Sequence, residues 1–160
     1  MRSRLGFAAM LRLSKLTDYA VVVLVRLSHT DGVQGAPGIS AGTGIPEPTV
    51  AKVLKALAAT GLVASQRGAH GGYRLIRPLA AIPIADVIAA IDGPIALTAC
   101  VEGAGGTCEV ESLCPMRGRW DPVNEAIQQA LTNITLADMQ EASIPRAFRT
   151  SVRTSLPAAE

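Results

Sequence analysis

A chain of 160 residues holds one ordinary globular domain, or a small domain with an appended oligomerisation element, and has no room for a second large core. Hydrophobic residues make up 49% of it and aromatic residues only 3%, so the core must be built from Leu, Val, Ile and Ala, a composition that suits helices. The net charge of +2 conceals a division: residues 1–80 carry ten Lys and Arg against three Asp and Glu, a local +7, and residues 81–160 carry five against ten, a local −5, so a polyanion would bind the first half.

The opening MRSRLGFAAMLRLS is basic and then apolar. Its apolar part is short, lacks a clear small-residue cleavage site and runs directly into an amphipathic segment, which argues against a secretory signal. No uninterrupted apolar run approaches the roughly 20 residues that span a bilayer. The expectation is a soluble cytoplasmic protein with no membrane partner. Met10 offers an alternative initiator, in which case the ordered chain begins at MLRLSKLTDYA.

Ser14 fits an N-cap, and the run through Leu16, Tyr19, Val23 and Leu27 predicts a first helix that stops at Asp31-Gly32. The stretch from Ala20 to Val25 is apolar on most faces, so strand and helix compete on propensity; length and caps favour a helix at the centre of a small domain. GAPGISAGTGIPEP is turn-rich around a short second helix near Ile39 to Thr43. The third helix, roughly Pro48 to Thr60, is clearer. Val50, Val53, Leu54 and Leu57 form one stripe, with Thr49, Lys52, Lys55 and Ala59 away from it. Pro48 suits its first turn, and Gly61 suits the left-handed position beyond its last.

The period then changes. LVASQRGAHGGYRLIRP reads as strand, glycine-rich loop and strand, with Arg67 and Arg74 flanking the turn and Pro78 ending the hairpin. Three short helices followed by a basic hairpin describe a winged helix-turn-helix, a scaffold that sets one helix in the major groove and lays the wing across the backbone or minor groove. The residues expected to contact DNA are Thr49, Lys52 and Lys55 on the third helix and Arg67, His70 and Arg74 on the wing. Lysines serve phosphates as readily as base edges. Tyr73 reads as a packing anchor at the base of the wing rather than a stacking platform.

PIADVIAAIDG predicts a fourth helix with Val87, Ile88 and Ile91 on one face and Gly93 as its terminator. WDPVNEAIQQALTNITLADM predicts a longer one, starting near Asp121 as the acceptor before Pro122, with Val123, Ile127, Ala130 and Leu131 as its apolar face. Thr135 suits the cap of a last short turn containing Leu136 and Met139. A single helix exposed at the end of a DNA-binding domain needs a partner, and a twofold homodimer provides one while matching a palindromic operator in double-stranded DNA. The fold class is therefore mainly α with a small β wing: a winged helix-turn-helix plus a long C-terminal dimerisation helix. The expected organisation is a DNA-binding domain over 11–80, a linking helix and turn over 81–99, a cysteine loop over 100–119, the dimerisation helix and final turn over 120–141, and a disordered tail over 142–160.

The loop CVEGAGGTCEVESLCPMRGRW holds all three cysteines, Cys100, Cys108 and Cys114, separated by seven and then five residues. A structural disulfide fits poorly, because the count is odd and a cytoplasmic DNA-binding protein lives in a reducing compartment. Buried inert thiols also fit poorly among Gly, Glu and Thr. Metal binding explains more, since thiolates are soft ligands for zinc and iron-sulfur clusters and glycine permits close backbone wrapping. Zinc would ask for a fourth nitrogen or sulfur ligand, usually from tight C-x2-C pairs. No such pair is present, and the only histidines, His29 and His70, lie far upstream.

The stretches LRLSKLTDYAVVVL, GIPEPTVAKVLKALAATGLVASQRGAHGGYRL, ADVIAAIDGPIALTAC and CEVESLCPMRGRW together resemble the Rrf2 family of bacterial transcription regulators, which includes iron-sulfur and nitric-oxide sensing repressors, and within it the subgroup regulating SUF-system iron-sulfur assembly. The likeness spans about residues 11 to 139. It implies a dimer of winged-helix subunits, each holding a [2Fe-2S] or [4Fe-4S] iron-sulfur cluster through Cys100, Cys108 and Cys114. Some members add a histidine three residues after the last cysteine, where this chain has Arg117. Others use an acidic residue of the first helix of the opposite subunit, and the matching residue is Asp18. As a plain reading, Asp18 is a first-turn aspartate favoured by the helix dipole.

An enzyme is not expected: no nucleophile has a nearby His and acid, GAHGGY lacks the strand-to-helix context of a phosphate loop, and C-x7-C-x5-C is unlike a C-x-x-C exchange pair. Two other readings stay open, a transcription regulator with a cluster-free thiol or zinc switch and an assembly scaffold that does not bind DNA.

Overall fold

The computed structural model of the chain describes residues 13–101 and 113–141. Met10, Cys108 and the tail over 142–160, each singled out above, lie outside the described residues. Six α-helices and one two-stranded antiparallel sheet make up the described part, as the mainly α reading with a small wing requires. Among the described residues no helix is long and apolar enough to cross a membrane.

Helix α1 (Lys15–Ser28) begins where expected, the Ser14 hydroxyl accepting the Thr17 N–H at 3.2 Å. Its inner face, Thr17, Ala20, Val23, Leu24 and Leu27, is buried. Helix α2 (Ala36–Thr43) starts three residues before the expected Ile39. Pro37 in its first turn already holds a helical φ, and Ile39 is fully buried, so packing draws the glycine-rich stretch into a helix that propensity alone disfavours. Helix α3 (Glu47–Ala59) lies within one residue of its predicted bounds, with Val50, Val53, Leu54 and Leu57 all buried. Gly61 follows at φ +75°, the left-handed position that only glycine takes without cost.

The wing is strand β1 (Val63–Gln66) paired with β2 (Gly72–Leu75) in the register Val63 to Leu75, Ala64 to Arg74, Ser65 to Tyr73 and Gln66 to Gly72. The segment before α2 adds a short third rung. The Gln34 N–H donates to the Tyr73 carbonyl at 2.9 Å and the Tyr73 N–H to the Gln34 carbonyl at 2.8 Å. That crossing explains Gly72, where a Cβ would stand 2.6 Å from the Gln34 carbonyl carbon. Gly72→Ala is expected to displace the Gln34 rung and destabilise the domain by about 1–3 kcal/mol, the range for forced overpacking, measurable as a lowered midpoint in urea denaturation.

A 3-10 turn (Leu79–Ala81) leads to α4 (Ile84–Asp92), which ends at Gly93 with φ +88°. Ile84, Val87 and Ile88 of α4 join the buried residues of α1, α2 and α3 in one aliphatic core. Each such side chain contributes roughly 1.5–3 kcal/mol on burial. Arg77 pairs with Asp86 at 3.1 Å, but both are well exposed and the pair adds little.

Helix α5 (Asp121–Thr132) and helix α6 (Leu136–Glu141) complete the fold. Asp121 is the first residue of α5 rather than its cap: Trp120 occupies the cap position with helical dihedrals and supplies no side-chain acceptor. Pro122, already locked at a helical φ, suits the second position as well as the first, which is why the boundary moves by one residue. The expected long helix is 12 residues, shorter than the 14 of α1, because the chain breaks at Asn133 and Ile134. Thr135 caps α6 as expected. Its N–H and hydroxyl donate to the Asp138 carboxylate at 2.8 and 2.7 Å and its hydroxyl accepts the Asp138 N–H at 3.2 Å. These bonds from Thr135, backbone first, hold the Asp138 carboxyl below its ordinary pKa. Leu136, fully buried, and bonds from Ile84 N–H to the Ile134 carbonyl and from Leu136 N–H to the Ile82 carbonyl, each 2.9 Å, fasten this end of the chain to the core.

Candidate DNA interface and cysteine segment

Helices α2 and α3 form the helix-turn-helix, and its turn is held by side chains. The Ser40 hydroxyl donates to the Ile45 carbonyl at 2.7 Å, the Thr43 hydroxyl donates to the Ile39 carbonyl at 2.7 Å, and Ile45 is itself buried. With the stripe of α3 buried, Lys52 and Lys55 stand exposed on its outer side and Thr49 is half-buried. Ala51 beside them is exposed, so the outer face of α3 is slim enough for close groove approach.

Arg67 and His70 lie in the five-residue connection between the strands, and Arg74 on β2 opposite Ala64; all three are exposed. Among the described residues none of Lys52, Lys55, Arg67 and Arg74 enters a salt bridge. Four cations without a salt bridge among the described residues, on α3 and the wing, form the electrostatic footprint expected of a polyanion site. Tyr73 packs against the core, as its reading as an anchor requires.

Cys100 and Cys114 are both free thiols and both half-buried. Cys100 Sγ lies 3.3 Å from the Thr98 hydroxyl, and Val101 beside it is buried. The Cys114 carbonyl accepts the Arg117 N–H at 3.2 Å. Asp18 is exposed in the first turn of α1 and opens on a cleft of about 440 Å³ lined by Leu13, Ser14, Lys15, Thr17, Val21, Ile84 and Met139, with no cysteine among them. Among the described residues no three His, Cys, Asp or Glu side chains gather as a metal site, so one protomer does not bring Asp18 together with Cys100 and Cys114.

The four α5 residues expected at a dimer seam divide into two pairs. Ile127 and Leu131 are half-buried and line an apolar groove of about 580 Å³ against Leu13, Ile88 and the turn from Gly93 to Leu97. Val123, 44% exposed, and Ala130 face outward. Leu113, Met116 and Trp120, just before α5, are exposed as well. Together with Val123 they give this end of the molecule four large apolar side chains that stay exposed among the described residues.

A family model described as Rrf2, iron-dependent transcriptional regulator, matches residues 13–142. The chain belongs to the Rrf2 family. It is 35% identical over 131 residues to the HTH-type transcriptional regulator IscR of Yersinia pestis, covering 81% of this chain and 79% of that one. Among solved structures it is similar to CymR, the global cysteine regulator of B. subtilis, at TM-score 0.62 and 26% identity over 84% of this chain and 99% of that one. It is also similar to IscR of T. potens, at TM-score 0.58 and 26% identity over 91% and 93%. These Rrf2 relatives are winged-helix regulators and not enzymes, in agreement with the fold and the non-enzymatic role read from the sequence.

Two polar residues of this Rrf2 chain that sequence reasoning passed over fasten the stretch that leads from α4 toward Cys100. Asp92, closing α4, accepts the Ser14 N–H at 3.1 Å and the Thr17 hydroxyl at 2.7 Å, tying the α4 terminus to the first turn of α1. Partial burial pushes its carboxyl up, but the hydrogen bonds from Ser14 and Thr17 outweigh this and hold it below its ordinary pKa. Asn124, the buried residue of α5, accepts the Leu97 N–H at 2.9 Å and donates to the Ile95 carbonyl at 3.0 Å. The available signal was an amide three residues before Ile127, on the helix face that carries Ile127 and Leu131.

Proposed function

We propose that this chain is a dimeric DNA-binding transcription regulator, acting in the cytoplasm on a palindromic operator, whose DNA affinity is governed by a [2Fe-2S] or [4Fe-4S] cluster and whose targets are iron-sulfur assembly genes. The observation that carries this reading is the pair of free, half-buried thiols, Cys100 and Cys114, on the stretch that joins the winged-helix core to α5. Their donor chemistry fits the group, since soft thiolates on a glycine-rich segment suit iron-sulfur ligation. Cys100, Cys108 and Cys114 would hold the cluster, with Asp18 of the partner subunit as the fourth, more labile ligand. When bound, the cluster supplies a centre that reacts with oxidants and nitric oxide.

The chain's own residues supply the coupling. Asp92 ties the turn after α4 to the N-terminus of α1, and α1 packs directly on α3. With all three thiolates engaged, the segment from Cys100 to Cys114 is fixed against the neighbouring subunit's α1, and the separation of the two α3 helices is set relative to one turn of DNA. The exposed apolar side chains Leu113, Met116, Trp120 and Val123 support a second copy as the cover.

The test compares anaerobic holo-protein with apo-protein for binding to the DNA upstream of its own gene, by fluorescence anisotropy. The expected result is at least about a tenfold difference in Kd, the scale of a coupling energy near 1.4 kcal/mol. Equal affinities overturn the sensing role. Iron and acid-labile sulfide content separates this reading from a zinc or cluster-free thiol switch.

A further inference from the structure

We infer that Asn124 is a positioning residue for Cys100: its buried amide locks the backbone of Ile95–Leu97 and so presents the Cys100 thiol on a preformed mount. The inference deepens the cluster reading, on which its consequence for ligation rests. Asn124 is only 4% exposed, on a helix face otherwise lined by Ile127 and Leu131. An amide buried there costs free energy unless every polar atom is used. Both ends are used, and both on one loop. The Leu97 N–H can only meet the oxygen and the Ile95 carbonyl can only meet the NH2, so the two partners fix the amide's orientation. Gln128, one turn on, donates to the same Ile95 carbonyl at 3.0 Å.

The hold continues toward the thiol. The Val101 N–H donates to the Thr98 carbonyl at 3.4 Å, Val101 is 4% exposed, and the Thr98 hydroxyl lies 3.3 Å from Cys100 Sγ. From Ile95 to Val101 the chain is therefore pinned at Ile95, Leu97 and Val101, with Cys100 beside the last of these. Cys114 stands in a different setting: Leu113 before it is 90% exposed and Met116 after it 46%. Ligand geometry at metal sites depends on such supporting hydrogen bonds. The asymmetry makes Cys100 the thiol whose preceding backbone α5 holds, and its mount the foot of that helix.

The test uses the full-length, reduced apo-protein and follows iodoacetamide labelling of Cys100 and Cys114 separately by peptide mass spectrometry, with amide hydrogen exchange over residues 95–101. Asn124→Ala is expected to raise Cys100 labelling and exchange across the segment by about fivefold or more, the effect of removing one buried hydrogen-bonding group on a local opening equilibrium, and to leave Cys114 unchanged. Gln128→Ala, half-buried and less disruptive, should move Cys100 in the same direction by less, and Glu125→Ala on the exposed side should move neither thiol. Equal acceleration of both thiols makes Asn124 a general stability residue and overturns the inference, as does no acceleration at either; if Asn124→Ala does not fold, an unchanged Gln128→Ala overturns it. Because these readouts need no cluster, they decide the mount even where the wild-type protein takes up no iron. In reconstituted protein the same substitution should hasten iron loss to a chelator.

Discussion

Alanine at any one of Cys100, Cys108 or Cys114 is expected to leave the anaerobically purified protein colourless, with iron and acid-labile sulfide at background, while the wild-type is brown. Three thiolates are the only sulfur donors in the chain besides methionine, and removal of one leaves two for a cluster that needs four ligands on its iron atoms. The fold should survive. Cys100 and Cys114 are half-buried, bridge no other cysteine and lie outside the aliphatic core, so truncation to alanine should cost about 1 kcal/mol or less. Asp18→Ala is the graded case. Asp18 is exposed and contributes nothing to the core, so its removal should cost stability no more than the roughly 0.3–1 kcal/mol of a first-turn carboxylate at a helix N-terminus and act chiefly on the cluster. The expected outcome is a cluster that still assembles but decays faster in air and shows an altered Mössbauer signature for one iron. An unchanged spectrum and lifetime would remove Asp18 from the ligand set, and the fourth position would pass to a non-protein ligand.

Sequence reasoning reached α3 to within one residue because its signal is local: a stripe with helical period, a proline at the first turn and a glycine at the last. It placed α2 too late because GAPG carries the propensity of a turn, and only the burial of Ile39 against distant residues reverses that. The apolar face of α5 was visible, but not its division into Ile127 and Leu131 over the chain's own groove and Val123 and Ala130 outward. Periodicity says that a face is apolar, not what covers it. Asn124 escaped for a related reason. Its partners are backbone atoms of Ile95 and Leu97, and every residue carries the same backbone groups, so no side-chain pattern announces the bond. Residue type and spacing marked the three cysteines as candidate metal ligands, and only the family resemblance turned that expectation toward an iron-sulfur cluster. The proposed ligand role of Asp18 would depend on a second subunit, a geometry that periodicity along one chain does not encode.

Lys52→Ala combined with Lys55→Ala is expected to weaken binding to operator DNA on the order of 100-fold at moderate salt and to flatten the slope of log Kd against log salt by about 0.9 for each phosphate no longer neutralised. Both side chains are exposed, three residues apart on the side of α3 that faces away from Val53, Leu54 and Leu57, and neither enters a salt bridge among the described residues. No acidic group described in the protein therefore competes for their charge. In a twofold dimer each substitution acts on both half-sites, so the two substitutions together would remove charge at both half-sites at once. The stability of the fold should move by no more than about 0.5 kcal/mol, as for most exposed positions, so weakened binding reports on the interface. The ratio of operator to random-sequence affinity then separates the roles. If the lysines meet phosphates, both affinities fall together and the ratio holds; if they meet base edges, the ratio falls with them. Thr49→Ala, which removes no charge, should leave the salt slope intact and alter only the ratio. Unchanged affinity and slope in the double lysine variant would mean that α3 is not the helix in the groove, and the exposed Arg67, His70 and Arg74 of the wing would then have to carry the binding alone.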